Sequence, residues 1–172
     1  MNQEIEAIVR LAEPQDARAI IGLCQQVGSE TPYLTFGPKG LDLSVEQEAT
    51  QIRRYQQSEN SLLIVAEVDD QLVGMANLTA FNEEKQQHVA EIGICLIREY
   101  WGYGLAKMMM EMLLDFAEHS AIKVITLEVV QENVAAVGLY QSFGFEIVGK
   151  LSKRLCHECE YFDSYVMEKR IG

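Results

Sequence analysis

The chain has few basic residues for its size. Its 172 residues include 14 Lys and Arg against 26 Asp and Glu, a formal net charge of -12 at pH 7. Because such a chain repels polyanions, we expect neither nucleic acid nor an anionic membrane surface as its main partner. A cationic or amine-bearing substrate would be attracted, although the same charge also serves solubility alone.

A basic leader and long apolar runs are also lacking. The N-terminal sequence MNQEIEAIVR has neither the positively charged start nor the apolar core of a signal peptide. No uninterrupted apolar stretch approaches the ~20 residues that a membrane-spanning helix needs. We therefore expect a cytoplasmic protein, whose four cysteines would be reduced thiols.

A complete set of metal ligands is missing as well. The motif Cys156-His157-Glu158-Cys159 resembles half of a zinc site. A structural zinc ion takes four ligands, and the sequence offers no second pair to complete the set. We therefore predict no metal site.

The sequence contains no repeat, low-complexity tract or interdomain linker. Its 48% hydrophobic content is typical of a folded globular protein. A chain of this length can form one domain with a sizeable core. We expect one domain over residues 1–172.

Apolar periodicity and turn residues predict the elements. Helices are expected to start near Pro14, Ser44, Gly104 and Asn133. Strands are expected at Ala7 to Leu11, Ser61 to Val68, Leu72 to Phe81, His88 to Leu96, Lys123 to Val130, Phe145 to Val148 and Tyr161 to Glu168. The segment Gly28 to Asp42 is predicted to be a loop, and the polar segment Lys150 to Glu160 is expected to link the last two strands. The order β-α-α-β-β-β-α-β-α-β-β predicts an α/β (α+β) domain around one mixed sheet.

The segment Trp101-Gly102-Tyr103-Gly104 leads into a predicted helix without a capping residue. Ser, Thr, Asp or Asn normally binds the unpaired N–H groups of a helix start. Two glycines let the backbone turn tightly and approach a ligand, so the open donors and the helix dipole predict a site for an anion such as phosphate. A plain tight loop before a core helix is the alternative. The apolar stripe expected to face the core is Leu105, Met108, Met109, Met112, Leu113 and Phe116.

Two motifs resemble the GNAT superfamily of N-acetyltransferases, and the resemblance extends from about Ile8 to Lys169. The first is the family's acetyl-CoA signature, Gln or Arg, two residues, Gly, one residue, then Gly or Ala. Gly102-Tyr103-Gly104 fills its glycine positions with Glu99 at the first position. In the other register Gly104-Leu105-Ala106 fits and Trp101 takes that position.

The second motif is LEVVQENVAAVGLYQSFGFEIVG, a strand followed by Asn, small residues, Leu-Tyr and Gly-Phe. The resemblance implies a mixed, mostly antiparallel sheet flanked by helices, with acetyl-CoA as cosubstrate. It also implies that Asn133 contacts the cofactor and that Tyr140 lies beside its sulfur. Other expected cofactor contacts are the backbone of Ile94, Cys95 and Leu96, and the segment Trp101, Gly102, Tyr103, Gly104, Leu105 and Ala106, with Arg98 and Lys107 flanking the phosphates.

The contacts along Ile94 to Leu96 would resemble those of an added strand. They require the central strand to part from its neighbour near Cys95. The sequence itself gives no sign of such an opening.

Acetyl transfer to an amine requires a base for the nitrogen and a proton for the departing thiolate. Glu91 lies in an otherwise apolar strand, where burial would raise its pKa, and it matches the catalytic glutamate of histone-type family members. Glu128 is the reserve candidate, and a structural carboxylate is the alternative role for Glu91. Tyr140 is the candidate general acid, or else a core ring.

The expected function is an acetyl-CoA-dependent N-acetyltransferase acting on the amine of a small molecule, such as an amino acid or related metabolite. Two alternatives remain open: an acetyltransferase for protein N-termini or lysines, and a coenzyme A-binding module without turnover. The resemblance also allows a homodimer.

Overall fold

The computed structural model describes residues 4–172, which form one seven-stranded sheet and four α-helices. The strands are β1 (Ala7–Leu11), β2 (Leu62–Val68), β3 (Gln71–Ala80), β4 (Val89–Leu96), β5 (Val124–Val130), β6 (Glu146–His157) and β7 (Glu160–Arg170). The helices are α1 (Ala17–Glu30), α2 (Val45–Gln57), α3 (Leu105–Glu118) and α4 (Val134–Ser142). Short 3-10 turns lie at Pro14–Asp16 and Arg98–Tyr100. The predicted order of elements is confirmed.

The sheet has the strand order β1-β2-β3-β4-β5-β7-β6. Every neighbouring pair is antiparallel except β4 and β5, which run parallel. A parallel pair needs a long crossover, and α3 provides it. The sheet is therefore mixed and mostly antiparallel, as expected.

Helices cover both faces of the sheet, and successive residues of β2 show it. Leu63 and Val65 belong to a smaller core cluster with α1 and α2. Ile64 and Ala66 belong to the larger cluster, which includes Met109 of α3. Because side chains alternate between the faces of a strand, α3 lies on the face opposite α2.

The apolar stripe of α3 differs in part from the prediction. Leu105, Met109, Met110, Leu113 and Ala117 are buried, whereas Met108 is 41% exposed. The sequence does not show which of the three consecutive methionines face the core, because each of them suits a core position.

The predicted loop Gly28 to Asp42 is wrong at its start, because α1 continues to Glu30. Gly28 lies inside that helix and is buried. A Cβ atom there would lie 2.1 Å from the carbonyl oxygen of Gly37. Gly28 therefore permits the following loop to lie against α1, and it does not end the helix.

The predicted end of the sixth strand at Val148 is also wrong, because β6 continues to His157 and most of the polar segment Lys150 to Glu160 is strand. β6 and β7 form one long hairpin whose two-residue turn is Glu158 and Cys159, with φ of 49° and 64°. Two residues with positive φ are typical of a tight hairpin turn. β6 is an edge strand with mostly exposed side chains, so it lacks the apolar alternation that reveals a strand.

No helix within residues 4–172 is both long and apolar enough to cross a membrane. Cys156 and Cys159 at the tip of the hairpin are exposed free thiols. Over the same described residues, no group of three or more His, Cys, Asp or Glu side chains is arranged to hold a metal ion.

Candidate functional site

β4 and β5 pair over only three positions and then separate. The pairs are Val89 with Val124, Ala90 with Ile125 and Glu91 with Thr126. Beyond them β4 continues along β3 as far as Leu96, while β5 continues along β7. The opening that the expected site requires therefore exists, and it begins directly after Glu91, three residues before Cys95.

The register of β4 determines which backbone groups face this opening. The N–H of Ile97 donates to Val73 at 2.9 Å and the N–H of Phe81 donates to Val89 at 3.0 Å, so the odd-numbered residues of β4 bond to β3. Because the direction alternates along a strand, Ile94 and Leu96 present their backbone groups to the opening. The backbone of Cys95 faces β3 instead, so the expected backbone contact from Cys95 does not fit this register.

Trp101 closes one end of the open strand edge. Its indole N–H donates to the carbonyl oxygen of Leu96 at 2.8 Å. The guanidinium of Arg98 lies 5.5 Å from the centre of the Trp101 ring and donates to the carbonyl oxygen of Glu30. Arg98 is therefore tied to the end of α1. Among residues 4–172, no strand pairs with Ile94 on this side of β4, so its N–H and C=O are available beside this closed end.

The start of α3 has the geometry of an anion site. Gly102 and Gly104 have φ of 84° and 82°, a left-handed conformation that favours glycine. Gly104 is the N-cap of α3 and supplies no side-chain hydrogen bond. In contrast, Ser44 caps α2 and Asn133 caps α4 with their side chains.

The first intrahelical bond of α3 runs from the N–H of Met108 to the carbonyl of Gly104 at 3.0 Å. The N–H groups of Leu105 and Ala106 precede it, where a helix lacks internal partners. A Cβ atom at Gly102 or Gly104 would meet nothing within 4 Å, so the space beside the turn is open. Half-exposed Trp101 and Tyr103 flank it. These residues fit a bound phosphate group.

Asn133 has a structural task in this protein. Its side-chain oxygen accepts a hydrogen bond from the N–H of Ala136 at 3.3 Å, which caps α4. Its amide nitrogen and the second lone pair of its oxygen are left for the expected cofactor contact.

A cleft of about 340 Å³ opens beside Glu91. Its lining comes from β3, β4 and the residue after β3: Asn77, Thr79, Phe81, Glu91, Ile92 and Gly93. Tyr55 of α2 reaches this lining, because its hydroxyl lies 2.6 Å from that of Thr79. The amide of Asn77 donates to the same hydroxyl at 2.8 Å. The sequence placed Tyr55 only in an apolar helix stripe, and nothing in its spacing indicated this contact.

Glu91 is exposed, which differs from the buried position expected from its strand. Its pKa is nevertheless raised, first by partial burial and then by the nearby charge of Glu128, while Arg154 acts in the opposite direction. Glu128 itself is paired: Arg154 donates to its two oxygens at 2.9 and 3.0 Å. Glu91 is therefore the better placed of the two candidate bases.

Tyr140 of α4 is 7% exposed and packs edge-on against Phe145, with ring centres 5.9 Å apart. Burial, and then the nearby thiol of Cys95, raise the pKa of Tyr140 to about 12. The phenol consequently keeps its proton throughout the neutral range. Tyr140 and Cys95 of β4 belong to the same core cluster.

Comparisons with known proteins agree with this geometry. The model of the acetyltransferase (GNAT) family matches residues 31–145, more than half of the chain. An L-amino acid N-acetyltransferase of Escherichia coli (strain K12) is 29% identical over 107 residues, covering 62% of this chain and 66% of the relative. Human N-acetyltransferase 8B is 25% identical over 113 residues, covering 64% of this chain and 50% of the relative. The chain thus spans between half and two-thirds of the curated relatives that it matches.

An acetyltransferase of the GNAT family from Streptococcus pneumoniae superposes with a TM-score of 0.93 at 28% identity, covering 97% of this chain and 100% of that one. The yncA protein of Salmonella typhimurium, solved with acetyl-CoA, superposes with a TM-score of 0.84 at 17% identity. That alignment covers 96% of this chain and 94% of that one, and it shows the fold alone. From the family match, the strand opening and the uncapped helix start, the chain belongs to the acetyltransferase (GNAT) family.

Proposed function

We propose that this protein transfers an acetyl group from acetyl-CoA to the amine of a small molecule, such as an amino acid or related metabolite. The observation that carries the proposal is the separation of β4 from β5 directly after Glu91. It leaves an open strand edge for an extended ligand, and this edge starts at the candidate base. The name of the Escherichia coli relative supports an amino acid as the acceptor.

Two parts of the chain would hold acetyl-CoA. The open N–H groups at the start of α3 are suited to bind its pyrophosphate, because the helix dipole adds a positive end to these donors. The N–H and C=O of Ile94 are suited to bind the pantetheine arm as a neighbouring strand would. Bound acetyl-CoA supplies an activated acyl group on a thiol leaving group.

Glu91 would take the proton from the attacking amine. Alkyl ammonium groups resemble lysine, with a pKa of about 10, so at neutral pH they must lose a proton before they attack. A raised carboxylate pKa improves the match between base and ammonium. The position of Glu91 in the wall of the cleft allows this transfer directly or through one water molecule.

Tyr140 would return a proton to the departing thiolate. Its phenol is the protonated form at every physiological pH, because its pKa is about 12. Its buried ring, held against Phe145, keeps the hydroxyl at one position. Because this donor is already oriented, the reaction loses less entropy than it would with an acid from solvent.

A screen of amines with acetyl-CoA, followed by release of free thiol, tests the proposal. We expect turnover with small amines, since the cleft is of a size that suits them. Turnover confined to peptides would indicate a protein acetyltransferase. Coenzyme A binding without any amine-dependent thiol release would indicate a binding module and contradict the proposed activity.

A further inference from the structure

The cleft beside Glu91 contains a side-chain amide that is anchored through its nitrogen. The nitrogen of Asn77 donates to the hydroxyl of Thr79 at 2.8 Å, and this hydroxyl lies 2.6 Å from that of Tyr55. The pKa of Tyr55 is raised, mainly by burial, so its phenol keeps its proton at neutral pH and can donate to Thr79. Because Tyr55 belongs to α2 and Asn77 to β3, the packing of helix on sheet fixes this amide.

The oxygen of the same amide faces open space. Asn77 pairs with Gly93 of β4, and both residues line the cleft. A Cβ atom at Gly93 would lie 2.9 Å from Oδ1 of Asn77 and, apart from its chain neighbours, would meet only this amide within 4 Å. Within residues 4–172 no donor reaches Oδ1, and no buried side-chain oxygen there lacks a partner. Oδ1 is therefore open to the water of the cleft, and to a ligand that replaces it.

Gly93 keeps the space beside this oxygen free. Its φ is not positive, so the backbone conformation does not require glycine at this position. A glycine inside a strand lacks a side chain to pack and often marks a place where a ligand approaches closely. The absence of a side chain at Gly93 therefore leaves room for a ligand atom at Oδ1 of Asn77.

Asn77 and Glu91 flank one position in the cleft. Thr79 lies directly opposite Glu91, which makes Asn77 the diagonal neighbour of Glu91 on the same face of the sheet. The Cβ atoms of diagonal neighbours are ~7–8 Å apart, within reach of a long side chain. One nitrogen can bridge the two side chains through hydrogen bonds of ~2.9 Å on each side. Ile94 follows the partner of Asn77, so this nitrogen would lie next to the strand edge proposed for the cofactor.

We propose that Oδ1 of Asn77 accepts an N–H of the acceptor's amino group while Glu91 takes a proton from the same nitrogen. The proposal rests on the proposed acetyl transfer. A primary ammonium group has three N–H bonds. One proton passes to Glu91, and the freed lone pair forms the bond to the acetyl carbon as the thiolate leaves with a proton from Tyr140. The nitrogen then loses a second proton, which restores Tyr140 through solvent. The hydrogen bonded to Oδ1 stays on the product amide, so the site should favour primary amines.

The test compares propylamine with its isomer trimethylamine, since both are cations at neutral pH. Propylammonium has three N–H groups, whereas trimethylammonium has one and cannot donate to both Asn77 and Glu91. Binding of each ion is measured by ligand-observed NMR titration with coenzyme A present. The selectivity is the ratio of the two affinities within one variant, so a partial loss of folded protein does not change it. Acetylation of propylamine is followed separately by release of free thiol.

Wild type should prefer propylammonium. Asn77→Ala removes Oδ1, and Gly93→Ala crowds it. Each variant should lower the selectivity by about 10-fold or more, because a hydrogen bond from a charged group is lost, and kcat/KM for propylamine should fall with it. Asn77→Asp retains an oxygen acceptor, so it should retain the selectivity. Gly149→Ala is the matched control, since Gly149 also lies in a strand but has open space around it, and it should behave as wild type.

Unchanged selectivity in Asn77→Ala overturns the role of Asn77 and leaves acetyl transfer standing. If this variant does not fold, unchanged selectivity in Gly93→Ala has the same meaning. Loss of selectivity in Asn77→Asp would show that the amide nitrogen, and not the oxygen, meets the ligand, which also contradicts the role. Wild-type protein that does not bind propylammonium contradicts it as well. Selectivity that falls as expected while even wild type releases no thiol supports the role of Asn77, and the proposed acetyl transfer alone fails.

Discussion

Glu91 stands opposite Thr126 at the last position where β4 and β5 pair. Its carboxylate therefore marks the point where the two strands begin to separate. The same residue lines the cleft formed by β3 and β4. One residue thus connects the proposed acceptor site with the strand edge proposed for the cofactor.

The first prediction concerns the pH dependence of wild type and Glu91→Gln. A base acts only when deprotonated, so kcat/KM should fall as pH decreases through the pKa of Glu91. Because that pKa is raised, the fall should begin at a higher pH than for an ordinary carboxylate. Glu91→Gln should lose this acidic limb and about 100-fold in kcat. An acidic limb that persists unchanged in the variant would exclude Glu91 as the base.

The second prediction uses the two charges beside Glu91. Glu128 raises the pKa of Glu91, and Arg154 lowers it. Glu128→Gln should therefore move the acidic limb of kcat/KM to lower pH, and Arg154→Gln should move it to higher pH. High salt should reduce both shifts, because these side chains are exposed to solvent. Shifts in the same direction would show that the limb belongs to another group.

The fold was predictable where apolar periodicity was strong. β2, β4 and α3 bury many side chains, and the sequence placed each within a residue or two. β6 was missed over most of its length because an exposed edge strand carries no such pattern. The end of α1 was missed because Gly28 serves close packing against Gly37.

Site residues were predictable where a motif or a resemblance named them. The uncapped start of α3 could be inferred from Gly102 and Gly104, and the structure has this feature. The contact between Tyr55 and Thr79 could not be inferred, because a tyrosine in an apolar helix stripe is typical of a plain core position. This contact depends on how α2 packs on the sheet, which local sequence does not encode.

The third prediction tests the anion site with Gly104→Ala. Gly104 has a φ of 82°, so alanine there should cost roughly 1 kcal/mol and disturb the open N–H groups. We expect weaker coenzyme A binding by calorimetry. Gly22→Ala is the matched control, since it lies within α1 with open space around it. It should be stabilising by about 0.5–1 kcal/mol without affecting binding. Equal coenzyme A affinity in both variants would contradict a cofactor site at this turn.

The fourth prediction is that Tyr140→Phe lowers kcat by about 10-fold or more and changes KM little. Phenylalanine retains the packing against Phe145, so the fold should be preserved and the melting temperature nearly unchanged. Since the pKa of Tyr140 is about 12, its hydroxyl stays protonated across the assay range. The ratio of wild-type to variant kcat should therefore be constant from roughly pH 6 to pH 9. A ratio that changes with pH in this range would show that Tyr140 titrates there, and a ratio near one would remove it as the proton donor.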